Sequence, residues 1–161
     1  MNKKFLTLFA VFIVAVSMAS VCAVELTKEN DFNGIFKMKV TDGDNFTSMD
    51  DSQSYSKLLQ SAAAYNNSNN TVFVFVYKGN INDALLGMTN GDIDPQYGVK
   101  NANYTTDGDL TLINKTPKME NLLKDYSINT FAGKSDNKTT VFVGGDNATL
   151  VKEYAKTIVF S

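Results

Sequence analysis

Histidine, arginine and tryptophan are absent from this sequence, and cysteine occurs once, at Cys22. Without histidine, neither a Ser-His-Asp nor a Cys-His set can activate a nucleophile, and the commonest general base is missing. Zinc, copper, haem and iron–sulfur sites lose their usual ligands as well. These absences exclude the catalytic sets that need histidine and predict a protein with no metal centre and no cofactor.

The first 23 residues have the three parts of a secretory signal peptide. Lys3 and Lys4 form the positive start, residues 5–16 form an apolar run, and small residues follow at the positions that a signal peptidase reads. We predict a signal peptide at 1–23, cut after Ala23. The alternative is an uncleaved N-terminal helix that anchors the chain, because no charge occurs between Lys4 and Glu25.

The charge of the remaining chain limits its partners. Removal of the two leader lysines leaves 13 lysines against 17 acidic residues, a net charge of −4. A chain without arginine and with a negative balance lacks the basic patch that phosphate backbones require, so no nucleic acid is predicted as a partner. We expect a protein that is secreted or lies on the extracellular face of the cell envelope, touching the membrane only through an uncleaved leader.

Residues 24–161 are predicted to form one globular domain. After a polar lead-in at 24–33, the hydrophobic periodicity and turn signals alternate loosely between strands and helices, with an irregular stretch at 89–109. This pattern predicts an α+β fold in which helices pack on a largely antiparallel sheet, with α/β as the alternative. The strands are expected at 35–40, 71–77, 110–113, 140–143 and 158–160, and the helices at 51–65, at 81–88, from Thr116 and from Asp146 or Asn147.

The sequence TVFV occurs twice, at 71–74 and at 140–143. Each copy follows a leucine pair and a polar loop, and a glycine and a predicted helix come after it. We interpret the two as similar helix–strand–helix units, produced by duplication or by chance. At 71–77 both faces of the strand are apolar, which is typical of a strand covered on both sides.

A set of short motifs resembles that of serine β-lactamases. Ser54 and Lys57 match S-x-x-K, 135–137 matches S-D-N, and 138–139 begins a K-T pair. Here S-D-N runs directly into K-T, Thr140 replaces the glycine, and the chain is about half the length that this fold needs. We therefore interpret the match as coincidence and predict no catalytic residue.

Acidic pairs of the form D-x-D occur at 42–44, 92–94 and 107–109. Aspartate beside glycine is a common turn signal, and turns are the favoured interpretation. A calcium site, mainly within 90–109, and a carboxylate-only glycan hydrolase stay open as alternatives. Carboxylates and aromatic residues in one long loop also suit a ligand-binding surface, for which the candidates are Asp92, Asp94, Tyr97 and Tyr104.

Glycosylation sequons of the form N-x-S/T are frequent in this chain. All of them fall in predicted loops or at element ends, where a glycan can stand in water. They predict a glycosylated surface protein, and the alternative is an asparagine-rich composition without modification. The seven acceptors are Asn45, Asn66, Asn69, Asn103, Asn114, Asn137 and Asn147.

Several segments resemble small exported proteins of methanogenic archaea that have no assigned function. They are the leader, the opening DFNGIFKMKV followed by NF, the central TVFVFVY and the closing ATLVKEYAKTIVF. The opening strand and the closing helix with its strand are also similar in layout to the PsbP/Mog1 type of sandwich, which implies no activity. The leading hypothesis is a non-enzymatic module that binds an envelope component or a small ligand.

Overall fold

The computed structural model describes residues 24–49, 61–89, 93–94, 98–99, 104–114 and 128–161. The predicted signal peptide, the start of the helix at 51–65 and the helix from Thr116 lie outside these residues. The strands are β1 Lys28–Phe32, β2 Phe36–Val40, β3 Phe46–Ser48, β4 Ala63–Asn67, β5 Val72–Lys78, β6 Ile93–Asp94, β7 Gly98–Val99, β8 Tyr104–Asp107, β9 Leu110–Asn114, β10 Thr130–Ser135, β11 Thr139–Gly145 and β12 Val159–Phe160, and the helices are α1 Ile81–Thr89 and α2 Ala148–Lys156.

A seven-stranded sheet organises this single domain. Its order is β3-β4-β5-β11-β10-β9-β8, and every neighbouring pair is antiparallel. The two TVFV segments lie side by side at its centre, where Phe142 is paired with Phe75 and Val143 with Val74. The prediction of an α+β fold with a largely antiparallel sheet is therefore confirmed.

Each face of the large sheet is covered by a different layer. On the first face, the valines of β5 and β11 pack against α2 and against a small antiparallel sheet of order β1-β2-β12. On the second face, phenylalanines of the same strands pack against α1. Because valine and phenylalanine alternate along β5, one strand supplies both cores, and the doubly apolar pattern of 71–77 is explained.

Several segments differ from the prediction, among them the short strands β3, β6 and β7, which were not predicted. Ala63–Asn67 forms β4, although residues up to 65 were predicted as helix, since these residues pair with β5 over the register Ala63 to Val76. The polar lead-in contains β1, which is paired with β2. The irregular stretch contains the edge strand β8, and β10 was not predicted. In each case pairing with a neighbouring strand outweighs weak local preference.

The repeated TVFV segments belong to strand–strand–helix units in the described chain. The first unit is β4-β5-α1 and the second is β10-β11-α2, and in each unit the TVFV motif contributes to the second strand. The predicted helix–strand–helix order is corrected only directly before each copy, where a strand, β4 or β10, is found; the leucine pairs at 58–59 and 122–123 lie outside the described residues. Within the described part of the chain, no helix is long and apolar enough to cross a membrane.

Candidate functional site

A buried polar cluster, here called the Asp44 network, joins three distant parts of the chain. Its members are Thr41, Asp44, Asn67, Thr71 and Tyr154. Asp44 lies in the turn after β2, where its N–H donates to the Thr41 carbonyl at 3.1 Å. Asp44 is only 7% exposed, and its carboxylate accepts hydrogen bonds from buried side chains. A buried carboxylate requires hydrogen-bond donors, and residues far away in the sequence provide them here.

Asn67, at the end of β4, is the centre of the Asp44 network. Its side-chain Nδ2 donates to Asp44 Oδ1 at 3.0 Å and to the Thr71 hydroxyl at 3.1 Å. Its Oδ1 accepts from the backbone N–H groups of Thr71 and Val72 at 2.9 and 3.1 Å. The side chain therefore closes the β4–β5 turn, and its hydrogen bond to Asp44 offsets part of the free-energy cost of burying that carboxylate.

Tyr154 is the second donor to Asp44. It lies on the inward face of α2, and its hydroxyl donates to Asp44 Oδ2 and lies 3.0 Å from the Thr41 hydroxyl oxygen. Burial, followed by the hydrogen bond to Asp44, raises the pKa of Tyr154 to about 12. The phenol stays protonated at neutral pH and holds the turn after β2 against α2.

The chemistry of the Asp44 network is structural. Both carboxylate oxygens are bonded, and Tyr154 and Asn67 are 0% and 2% exposed. A general acid or base must reach a substrate proton, and within the described residues these side chains are bonded to one another and to nearby backbone groups. The 42–44 pair is also divided, because Asp42 is exposed while Asp44 is buried.

The 107–109 pair does not converge on a common point either. Lys152 forms an ion pair with Asp107, and Lys134 lies 2.9 Å from Asp109. Hydrogen bonding to Lys152 lowers the pKa of the Asp107 carboxyl group, and hydrogen bonding to Lys134 lowers the pKa of the Asp109 carboxyl group. In the described residues, no group of three or more metal-ligating side chains occurs.

The structure describes only some of the residues that were predicted to bind a ligand. Tyr104 begins the edge strand β8 and is 46% exposed. Asp94 lies in β6, which is paired with β7, and its side chain is not among those described. Asp92 and Tyr97 lie outside the described residues. The surface formed by these four residues therefore stays a prediction.

The S-D-N segment at 135–137 forms a tight hairpin between β10 and β11. Asp136 Oδ1 accepts from the backbone N–H groups of Lys138 and Thr139 at 2.9 and 2.7 Å. Asn137 has a positive φ of 71°, and its N–H donates to the Ser135 hydroxyl. This geometry accounts for the S-D-N residues as turn formers. Ser54 and Lys57 lie outside the described residues.

We expect Asp136→Ala to weaken the fold at neutral pH and to have less effect in acid. Hydrogen bonds from Thr139 and Lys138 lower the pKa of Asp136 below its ordinary value. Their contribution is therefore complete above the unfolded-state pKa of about 3.9 and is lost as the pH falls through the lower folded-state value. Urea midpoints of the wild type and the variant should converge between about pH 4 and pH 2.

The control for this substitution is Asp146→Ala, which removes an exposed carboxylate just after β11. Asp146 makes no hydrogen bond or ion pair within the described chain, so its removal should leave the midpoint nearly unchanged. A gap between wild type and Asp136→Ala that stays constant from pH 7 to pH 2 would contradict the role of the carboxylate.

Comparisons with known proteins leave the family open. No family model matches the chain, and neither the curated proteins nor the solved structures contain a match. The function is therefore inferred from the sequence and from the geometry of this fold.

Asn67 is the residue that sequence reasoning missed. The segment Asn67-Ser68-Asn69-Asn70-Thr71 signals a turn, and Asn70 indeed has a positive φ of 53°. No local pattern, however, indicates that the Asn67 side chain is buried against Asp44, which lies 23 positions earlier.

Proposed function

We propose that this protein is an exported, non-enzymatic module of the cell surface or the secreted fraction. It binds an envelope component, another surface protein or a small ligand. The leader-like residues 1–23, the negative charge of the rest and the absence of histidine support this proposal.

One structural observation supports the non-enzymatic part above all. Four carboxylates that the sequence offers for acid–base chemistry are occupied by structural contacts in the described chain. Asp44 is bonded within its network, Asp107 and Asp109 are paired with lysines, and Asp136 closes a hairpin. A hydrolase based on carboxylates needs two such groups free on opposite sides of a substrate.

The layout of the fold supports a further, finer proposal. The opening strands and the closing helix and strand come together, because β12 is paired with β2 and α2 packs on the same face of the large sheet. We propose on this basis that the fold is similar in layout to the PsbP/Mog1 type of sandwich. The kinship with exported proteins of methanogenic archaea is a proposal that depends on the sequence segments given above.

Export can be tested by the intact mass of the protein produced with its own leader. We expect the chain to begin at Val24 and to be found outside the cytoplasmic membrane. Ala23→Phe should block cleavage, because the peptidase accepts only a small residue before the cut, while Ser20→Ala should leave it unchanged. A full-length chain in the cytosol with Met1 or Asn2 at its start would refute the proposal.

A further inference from the structure

The glycosylation sequons are distributed unevenly over the fold. Strand pairing places the end of β4, the start of β5, the end of β9 and the end of β11 at one end of the large sheet, here called the sequon end. Of the six described acceptors, only Asn137 lies at the opposite end, in the hairpin between β10 and β11. The acceptors at the sequon end are Asn45, Asn66, Asn69, Asn114 and Asn147.

A folded acceptor must present two groups at once, the asparagine carboxamide and the hydroxyl two residues later, since both define the sequon. Two sequons meet this condition: Asn45 with Thr47, and Asn147 with Thr149. All four of these residues are exposed. The Thr47 hydroxyl makes one surface hydrogen bond, of 3.2 Å, to the neighbouring strand.

Three other sequons fail the same condition. Asn66 is half-buried, and its Nδ2 donates to the side chain of Asn70. The Asn69 sequon ends at Thr71, which is half-buried and bonded to Asn67. The Asn137 sequon ends at a half-buried threonine inside the closed hairpin. The Asn114 sequon ends outside the described residues.

The carboxamides of Asn45 and Asn147 are also oriented alike. Lys28 Nζ donates to Asn45 Oδ1, and the Leu150 N–H donates to Asn147 Oδ1 at 3.1 Å as the cap of α2. In both residues Nδ2 makes no hydrogen bond within the described chain. Because the oxygen is held by the protein, the nitrogen that would carry a sugar is turned to solvent.

We infer that Asn45 and Asn147 are N-glycosylation sites that are modified on the folded domain. This inference depends on the proposed export, which brings the chain to the compartment of the transferase. The donor is an oligosaccharide linked to a lipid phosphate. The bond between the anomeric carbon and the phosphate oxygen breaks, a bond from that carbon to Nδ2 forms, and one amide proton leaves with the lipid phosphate.

The modification is compatible with the fold at both positions. A glycan on Nδ2 leaves Oδ1 free to accept from Lys28 or from the Leu150 N–H, so the cap of α2 is kept. At Asn45 the sugar would stand beside β3, the edge strand of the large sheet. Bulk at such an edge hinders strand addition by another chain.

The test is peptide mapping by mass spectrometry of the protein isolated from its natural source. We expect sugar-sized mass additions on peptides with Asn45 and Asn147, with site occupancy several-fold above that at Asn66, Asn69 and Asn137. Asn45→Gln and Asn147→Gln should each remove one glycan from the intact mass, while Asn137→Gln, the matched exposed control, should leave it unchanged.

Two outcomes would overturn the inference. Equal occupancy at all five sites would show that folding does not select the acceptor, and a sugar-free chain beginning at Val24 would show that no transfer occurs despite export. The second result would leave the proposed function intact. A full-length chain in the cytosolic fraction would instead refute the proposed function, so intact mass combined with cell fractionation distinguishes the two failures.

Discussion

Asn67→Ala should lower the free energy of unfolding by about 3–5 kcal/mol, because one oxygen of the buried Asp44 carboxylate and two backbone N–H groups lose their side-chain partner. The side chain is 2% exposed and makes four hydrogen bonds. The alanine side chain can form none of these four hydrogen bonds. Urea denaturation at pH 7 should show a lower midpoint with an unchanged slope, which identifies a loss of native stability.

The adjacent Asn66→Ala is the matched control for this prediction. Asn66 has the same side chain on the same strand, but it is half-buried and bonds only to Thr47 and Asn70 at the surface. We expect this change to cost less than about 1 kcal/mol. Similar losses for the two variants would show that Asp44 does not depend on Asn67.

A double-mutant cycle with Tyr154→Phe checks that the Asp44 network acts as a unit. Tyr154 and Asn67 bond to different oxygens of the same carboxylate. Each single substitution removes one hydrogen-bond donor from the same buried carboxylate. The two losses in the free energy of unfolding should therefore not be additive, and we expect a coupling energy of about 0.5–3 kcal/mol. Strict additivity would contradict a shared network.

Gly133→Ala should destabilise the fold by about 1–3 kcal/mol through overpacking. A Cβ atom at this position would lie 2.3 Å from Cε1 of Phe142, whose ring covers the glycine from the paired strand. Phe142 is fully buried and in edge contact with Tyr77, so its ring has little room to move. Thermal or urea unfolding measures the loss.

Two further variants make this prediction specific. Gly43→Ala, in an exposed turn, has no atom within 4 Å of the new Cβ and should be nearly neutral. Phe142→Val removes the ring, so the added cost of Gly133→Ala should shrink in that background. If the alanine costs the same with and without the ring, the clash is not its cause.

Phe131 and Gly144 repeat this arrangement one step along the same pair of strands. A Cβ at Gly144 would lie 2.6 Å from Phe131 Cε1, and the two residues are directly opposite in the register. Two phenylalanine rings thus cover two glycines between β10 and β11. A glycine in a strand interior weakens the strand by itself, and here it makes room for an aromatic ring across the pair.

The candidate site was less predictable than the strands. That Tyr77 and Tyr154 are buried follows from their apolar faces, and both prove to be 4% exposed or less. The partner of Tyr154, however, lies 110 positions earlier, at Asp44. The sequence marked Asp44 only as part of a D-x-D turn, and a turn signal carries no information on whether its carboxylate faces water or the core.

The sequence by itself determined the central strand at 71–77, the strand at 140–143 and the last helix, whose cap it left open between Asp146 and Asn147 until the structure showed Asn147. Hydrophobic periodicity and capping are local properties, so they can be recognised within a short stretch of sequence. Tertiary structure alone decided that Ala63–Asn67 is a strand, that Asn67 is buried and which sequons present both groups to solvent. These features depend on contacts between segments distant in sequence, and such contacts leave no periodic mark on either segment.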